Sequence, residues 1–202
     1  MEDLTLTGYS CAQPLRLRFV LRNKKRAAMM SEIVISDNAG MRDVRIDRPA
    51  KRNALTRAMY GTLSAALSSA AADGVRAIWL HGSAECFTAG NDIGDFAQAV
   101  PGAPSAAMAF LEALLACPVP IVASVNGAAV GIGTTMLLHC DLAYASEGAR
   151  FQLPFVGLGL CPEAGSSLLL PVVAGPKLAA ELLLLGGAFD PAMALRAGLL
   201  NA

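Results

Sequence analysis

The chain has 202 residues, 54% of them hydrophobic and only 16% charged, with a net formal charge of zero. This length allows one sizeable domain with a real core, and the charge balance gives no electrostatic case for nucleic acid or an anionic membrane surface as partner. The five scattered cysteines, Cys11, Cys86, Cys117, Cys140 and Cys161, read as reduced thiols of a cytoplasmic protein and not as a disulfide framework.

Residues 1–29 carry most of the basic run RLRFVLRNKKRAAMM but no apolar stretch with a small-residue cleavage site, so they make a poor secretory signal. A disordered extension is expected there, with a weak organelle-targeting arm as the alternative, and the domain is expected over 30–202. MRDVRID (41–47) alternates apolar and polar residues as a strand does. After the turn RPAKRNAL, Thr56 suits the N-cap of a helix with Met59, Leu63, Ala66, Leu67 and Ala70 on one face. Asp73-Gly74 ends it, and VRAIWLHG (75–82) reads as a buried strand. The loop SAECFTAGND leads to a short helix near Ile93–Ala99, PGAP marks a loop, and Ser105–Ala116 is helical. PIVASVNG (120–127) is a further strand, followed by a glycine turn and a short helix through Leu138. DLAYAS (141–146) and RFQLP (150–154) are strands. Helices are expected over Ser166–Val173, Lys177–Leu185 and Pro191–Ala197, between Gly-Pro and Gly-Gly breaks. Strands alternating with helices predict an α/β domain with largely parallel pairing.

Residues 113–140 hold no charge and are long enough to span a bilayer. Pro118, Pro120, Asn126, Gly127, Gly131 and Gly133 interrupt them, which fits a buried strand, a glycine turn and a buried helix better. No membrane span is expected. The histidines are limited to His81 and His139, and no C-x-x-C is present, so no metal site is expected.

Three pieces carry chemistry. CFTAGND (86–92) and NGAAVGIGTT (126–135) are strand-to-helix junctions built of small residues. Such turns expose unpaired N–H groups and the positive end of a helix. Facing each other, the N–H groups of Ala89 and Ile132 would hold a developing oxyanion, worth about 3–4 kcal/mol per donor; for either loop on its own, ordinary strand–turn–helix packing is the better account. GIGTTM (131–136) ends in Met136 and is not a dinucleotide fingerprint. The third piece, CPEAGSS, places Glu163 between charged neighbours as distant as Arg150 and Lys177. A first-turn helical position after Pro162 accounts for it through the helix dipole. Desolvation by Val156, Leu160 and Leu168–Leu170 would instead raise its pKa and make it a general base. A Ser166–His139–Asp141 triad can be assembled only on paper, because Ser166 lies outside a nucleophile elbow. Lys51 and Arg52 are candidates to meet phosphates, although paired surface charges are usually just solvated.

Taken together, RPAKRNALT (48–56), CFTAGNDIGDF (86–96), PIVASVNGAAVGIGTTMLLHCDLAYAS (120–146), RFQLPFVGLGLCPEAGSSLLLP (150–171) and ALRAGLLN (194–201) resemble the crotonase, or enoyl-CoA hydratase/isomerase, superfamily. The resemblance implies a ClpP/crotonase-type spiral of ββα units, normally continued by further carboxy-terminal helices beyond Ala202, and a homotrimer or dimer of trimers. It implies an acyl-CoA thioester as ligand, with no cofactor besides the substrate's own coenzyme A. The oxyanion hole carries over to Ala89 and Ile132. Contacts with the ligand carry over to Ala50, Lys51 and Asn53, to Gly90, Asn91, Asp92 and Ile93, and to Gly131 and Phe155. The two glutamates of the family's hydratases would fall at Thr135 and Phe155, where this chain has no carboxylate. Glu163 lies where the delta-3, delta-2-enoyl-CoA isomerases of the family keep their single catalytic glutamate. The resemblance therefore implies an isomerase of fatty acid β-oxidation, with Phe155, Val156 and Leu160 as dry walls. A hydratase or lyase with an unusual base and an inactive acyl-CoA-binding protein are the alternatives, and a serine hydrolase of the ClpP type lacks a credible nucleophile.

Overall fold

The structure is a computed structural model that describes residues 32–96 and 105–202. The extension expected over 1–29, the PGAP loop and the end of the helix expected near Ile93–Ala99 lie outside the described residues. The chain begins with an antiparallel hairpin, β1 (Ile33–Asn38) against β2 (Met41–Ile46). Helix α1 (Arg57–Ser69) follows, and the Thr56 hydroxyl caps it by accepting from the Met59 N–H. Its buried stripe is Met59, Tyr60, Leu63, Ala66 and Leu67, continued by Ala70. Burying each large apolar side chain there contributes about 1.5–3 kcal/mol.

Three ββα turns then wind through the molecule. β3 (Ala77–His81) and β4 (Cys86–Thr88) lead to α2 (Ile93–Phe96) and α3 (Ala106–Leu115). β5 (Ile121–Val125) and β6 (Ala128–Val130) lead to α4 (Ile132–Thr135), and β7 (Leu142–Ala145) and β8 (Arg150–Gln152) lead to α5 (Ser166–Ala174). The first strand of each turn joins one sheet, ordered β1-β2-β3-β5-β7, and the second strand joins another, ordered β4-β6-β8. Among the described residues, every pairing between named strands after the hairpin is parallel. The fold is therefore the α/β domain with parallel pairing expected from the residue pattern, wound as the spiral that the resemblance implies. α3 packs on α1, with the Tyr60 and Phe110 rings 5.4 Å apart. α6 (Pro176–Leu185) and α7 (Pro191–Arg196) close the described chain. Its last residues are tied to β7, Asn201 exchanging backbone and side-chain hydrogen bonds with Ala143 at 2.8 Å.

Residues 113–140 run from the end of α3 through β5 and β6 into α4, and among the described residues no helix is long and apolar enough to cross a membrane. Two readings change. β1 was not expected, because after Ile33 it exposes every residue and so carries no apolar alternation; pairing with β2 makes it a strand. Glu163 is not in a first helical turn, since α5 starts at Ser166 and no acidic residue occupies its first turn. The helix-dipole account of this carboxylate therefore does not hold.

Candidate active site

The site begins with a buried asparagine. Asn53 is fully buried and has left-handed backbone (φ 58°), like Arg52 before it (φ 50°). Its Oδ1 accepts from the Arg48 N–H at 2.8 Å, and its Nδ2 donates to the carbonyls of Cys86 (2.8 Å) and Phe87 (3.2 Å). The Thr88 hydroxyl donates to the Asn53 carbonyl at 2.7 Å and accepts from the Gly90 N–H at 3.1 Å. These bonds fix loop 86–92. They also correct the ligand role expected of Asn53: its polar atoms are all committed to protein partners, and it shapes the loop instead. Asp92 is similarly engaged, in an ion pair with Arg48 (2.6 Å) and in accepting from the N–H groups of Gly94 and Asp95 at the start of α2.

The two junctions interlock. A Cβ on Gly90 would lie 2.9 Å from the Val130 carbonyl oxygen, and one on Gly133 would lie 2.6 Å from the Thr88 side chain. Only hydrogen side chains permit this approach. The approach sets the amide groups of residues 89–91 beside the first turn of α4.

Here the expected oxyanion hole needs a correction. The Ala89 N–H donates to the Arg52 carbonyl at 3.0 Å, so it is not free for a ligand. Among the described residues, no acceptor is recorded for the N–H groups of Asn91 and Ile132. Ile132 is the first residue of α4, where intrahelical partners are lacking by construction. The free pair is thus Asn91 and Ile132, two residues along from the expected first donor. The cause is the left-handed backbone of Arg52 and Asn53, whose turn aims a carbonyl at Ala89 and which the sequence does not reveal.

Glu163 closes the site. It is half-buried in the loop before α5, and its Oε1 lies 3.8 Å from the point where a Gly131 side chain would begin. Burial pushes its carboxyl above the usual carboxylate range, and a hydrogen bond from the Asn91 side chain opposes that rise. The loop is held by its own backbone and by neighbours. The Ser166 hydroxyl donates to the Glu163 carbonyl at 2.7 Å, and His139 Nε2 to the Ala164 carbonyl at 2.8 Å. Ala164 and Gly165 are both left-handed (φ 53° and 65°). Those contacts also dissolve the paper triad, because Ser166 and His139 face backbone carbonyls and Asp141 accepts from the Ile121 N–H at 2.8 Å.

Tyr60 was missed by the sequence reading. Its hydroxyl donates to Asn91 Oδ1, and its phenol is pushed up in pKa by burial and then by the Glu163 charge. Of the expected walls, Phe155 is buried, but Val156 and Leu160 are about half exposed (52% and 48%) and Leu168 is exposed. Val156 and Leu160 sit on the short turn and loop after β8 and Leu168 on α5, and within the described residues they do not make the dry wall expected of Val156 and Leu160. Ala50 and Lys51 lie exposed on the 3-10 turn Pro49–Lys51, and Ile93 is exposed at the start of α2. Thr135 is fully buried, and its hydroxyl has no partner among the described residues. No group of three His, Cys, Asp or Glu side chains among the described residues is placed to hold a metal ion.

Comparison with known proteins bears on this geometry. The enoyl-CoA hydratase/isomerase family model matches residues 36–202. Enoyl-CoA delta isomerase 2 of Rattus norvegicus is 37% identical over 161 residues, 76% of this chain and 41% of that protein. The 2,3-dehydroadipyl-CoA hydratase of Escherichia coli is 34% identical over 175 residues, 85% of this chain and 69% of the relative. Among solved structures, Pseudomonas aeruginosa OdaA is 49% identical with a TM-score of 0.82, over 86% of this chain and 71% of that one. The chain spans about half the length of the isomerase relatives it matches.

Proposed function

This chain belongs to the enoyl-CoA hydratase/isomerase family, and from that premise we propose that it shifts the double bond of a 3-enoyl-CoA to the 2-position. The observation that carries this reading is one half-buried carboxylate of raised pKa, Glu163, against the junction that bears two unpartnered N–H groups, Asn91 and Ile132. The thioester oxygen sits between these N–H groups. Glu163 takes the proton from C2, and the C–H electrons pass into a dienolate whose oxygen charge the two donors stabilise. The electrons then return to re-form the carbonyl, the double bond settles between C2 and C3, and C4 recovers the proton from the same carboxyl. A proton is moved and none is consumed, so one acid/base group suffices and no cofactor beyond the substrate's coenzyme A enters. Exposed Lys51, on the turn whose next carbonyl holds Ala89, is suited to the coenzyme's phosphates.

Hydration requires a second acid or base to deliver water. Thr135 and Phe155 stand where the resemblance places the hydratase glutamates, and neither ionises as a carboxylate. The four described cysteines are free thiols, in keeping with a cytoplasmic place in fatty acid β-oxidation. Exposed apolar Leu168, Val172 and Val173 on α5 are consistent with assembly into a homotrimer, which sedimentation would check.

The test is separate incubation with 3-enoyl-CoA and 2-enoyl-CoA. Double-bond migration supports the isomerase; water addition to 2-enoyl-CoA without migration overturns it in favour of a hydratase. Binding with neither reaction leaves an acyl-CoA-binding protein. The Glu163→Gln variant should lose roughly 10³-fold in turnover while still binding the ester, and undiminished turnover refutes the assignment.

A further inference from the structure

Asn91 holds two positions at once. Its backbone N–H is a free donor in the oxyanion hole, and its side chain lies between the Tyr60 hydroxyl and the Glu163 carboxylate. An amide presents one acceptor and one donor end. Tyr60, a donor here, engages Oδ1, and this leaves Nδ2 for Glu163. Without the phenol, the amide would be free to turn its oxygen to the carboxylate, where two acceptors repel. Tyr60 is itself held by its place on the buried face of α1 and by the Phe110 ring.

We propose that Tyr60 and Asn91 form a positioning relay, in which the Tyr60 hydroxyl fixes the Asn91 amide so that its Nδ2 holds the Glu163 carboxylate beside the oxyanion hole. The inference deepens the reading of Glu163 as the base and rests on it. The relay does two things. It orients the carboxylate relative to the same residue's N–H, so that base and oxyanion donor keep a fixed spacing. It also favours the ionised form of the carboxylate against the opposing effect of burial. Of the titratable groups among the described residues, Tyr60 faces the carboxylate from α1, and His139 is held on the adjoining Ala164 carbonyl.

The test compares wild type with Tyr60→Phe and Asn91→Ala, neither of which removes a backbone donor. The Glu163 titration is followed by carboxyl-carbon NMR, and the pH dependence of kcat with 3-enoyl-CoA is measured alongside. Loss of the amide donor should move both the titration and the acid limb of kcat to higher pH. On the pH plateau kcat should fall on the order of ten-fold in Asn91→Ala, with KM within about two-fold. Tyr60→Phe should move the same quantities in the same direction by less. A residue that merely fills space would not move the titration, so an unshifted titration in folded Asn91→Ala protein overturns the relay. Tyr60→Phe indistinguishable from wild type removes Tyr60 from it. A shifted titration in a protein that never isomerises 3-enoyl-CoA keeps the relay and discards the isomerase reading.

Discussion

Replacing Asn53 by alanine tests whether the ligand loop is built from beneath. The substitution deletes two hydrogen bonds donated to the Cys86 and Phe87 carbonyls and one accepted from the Arg48 N–H, all at a fully buried position. The Cys86 carbonyl keeps Ser83 as a donor, so its loss is the smaller one. About 1 kcal/mol for each lost carbonyl bond, and about 1–3 kcal/mol for the stranded Arg48 donor, are the relevant magnitudes. An alanine held at φ 58° adds about 1 kcal/mol, which asparagine largely escapes. The sum is about 4–6 kcal/mol, or a melting temperature lower by about 10–20 °C for a domain of this size. Thermal and urea unfolding measure it, and Asn53→Gly separates the terms, because glycine accepts the left-handed backbone and should recover about 1 kcal/mol. Loop 86–92 carries the Asn91 donor, so KM for an enoyl-CoA should rise in the folded fraction. An alanine variant that melts within about 2 °C of wild type with unchanged KM would refute this reasoning, and Asn53 would return to the ligand contact implied by the family resemblance.

Three other outcomes follow from the same contacts. A Cβ on Gly127 would stand 1.8 Å from the Glu85 carbonyl oxygen, so Gly127→Ala should cost more than about 4 kcal/mol and yield little folded protein on expression and unfolding assays. Because burial raises the folded-state pKa of Glu163, the folded protein binds the extra proton. Stability therefore falls as pH rises from the unfolded value through the folded one. Glu163→Gln should then melt higher than wild type at neutral pH, with the gain vanishing in acid below the unfolded carboxylate range. Asn91→Asp places a second carboxylate against Glu163 and removes the amide donor; the acid limb of kcat should move further to alkaline pH than in Asn91→Ala, as a pH–rate profile would record.

The legible parts of this chain are those where side-chain type dictates the outcome. The apolar spacing of Met59, Leu63 and Leu67 fixes the buried face of α1, and a lone carboxylate in LCPEAGSS stands out by its isolation. What stayed hidden depends on backbone direction. Every non-proline residue of FTAGN has an N–H, and which one is free depends on where the Arg52 carbonyl points, a consequence of two successive left-handed residues. Tyr60 was obscured by the regularity around it. One position after Met59, it reads as a further core aromatic, and only the fold brings its hydroxyl to Asn91. β1 escaped for the opposite reason, since an edge strand exposed after its first residue has no apolar pattern to read.

A single acid/base group moving a proton from C2 to C4 faces opposed demands. It must be basic enough to take an α-proton from a thioester, and acidic enough once protonated to return it to the dienolate. Burial alone would favour the protonated carboxyl, which cannot begin. Full solvation would leave a weak base whose captured proton exchanges with water. In this site burial raises the pKa while the Asn91 amide opposes it, and burial is the larger effect. In the proposed mechanism the residue that moderates the base also offers its unpartnered N–H to the oxyanion hole. Any displacement of loop 86–92 must therefore weaken the oxyanion contact and unbalance the base together. Two functions that a pair of independent residues could tune separately are here bound to one backbone position, and that position rests on Asn53.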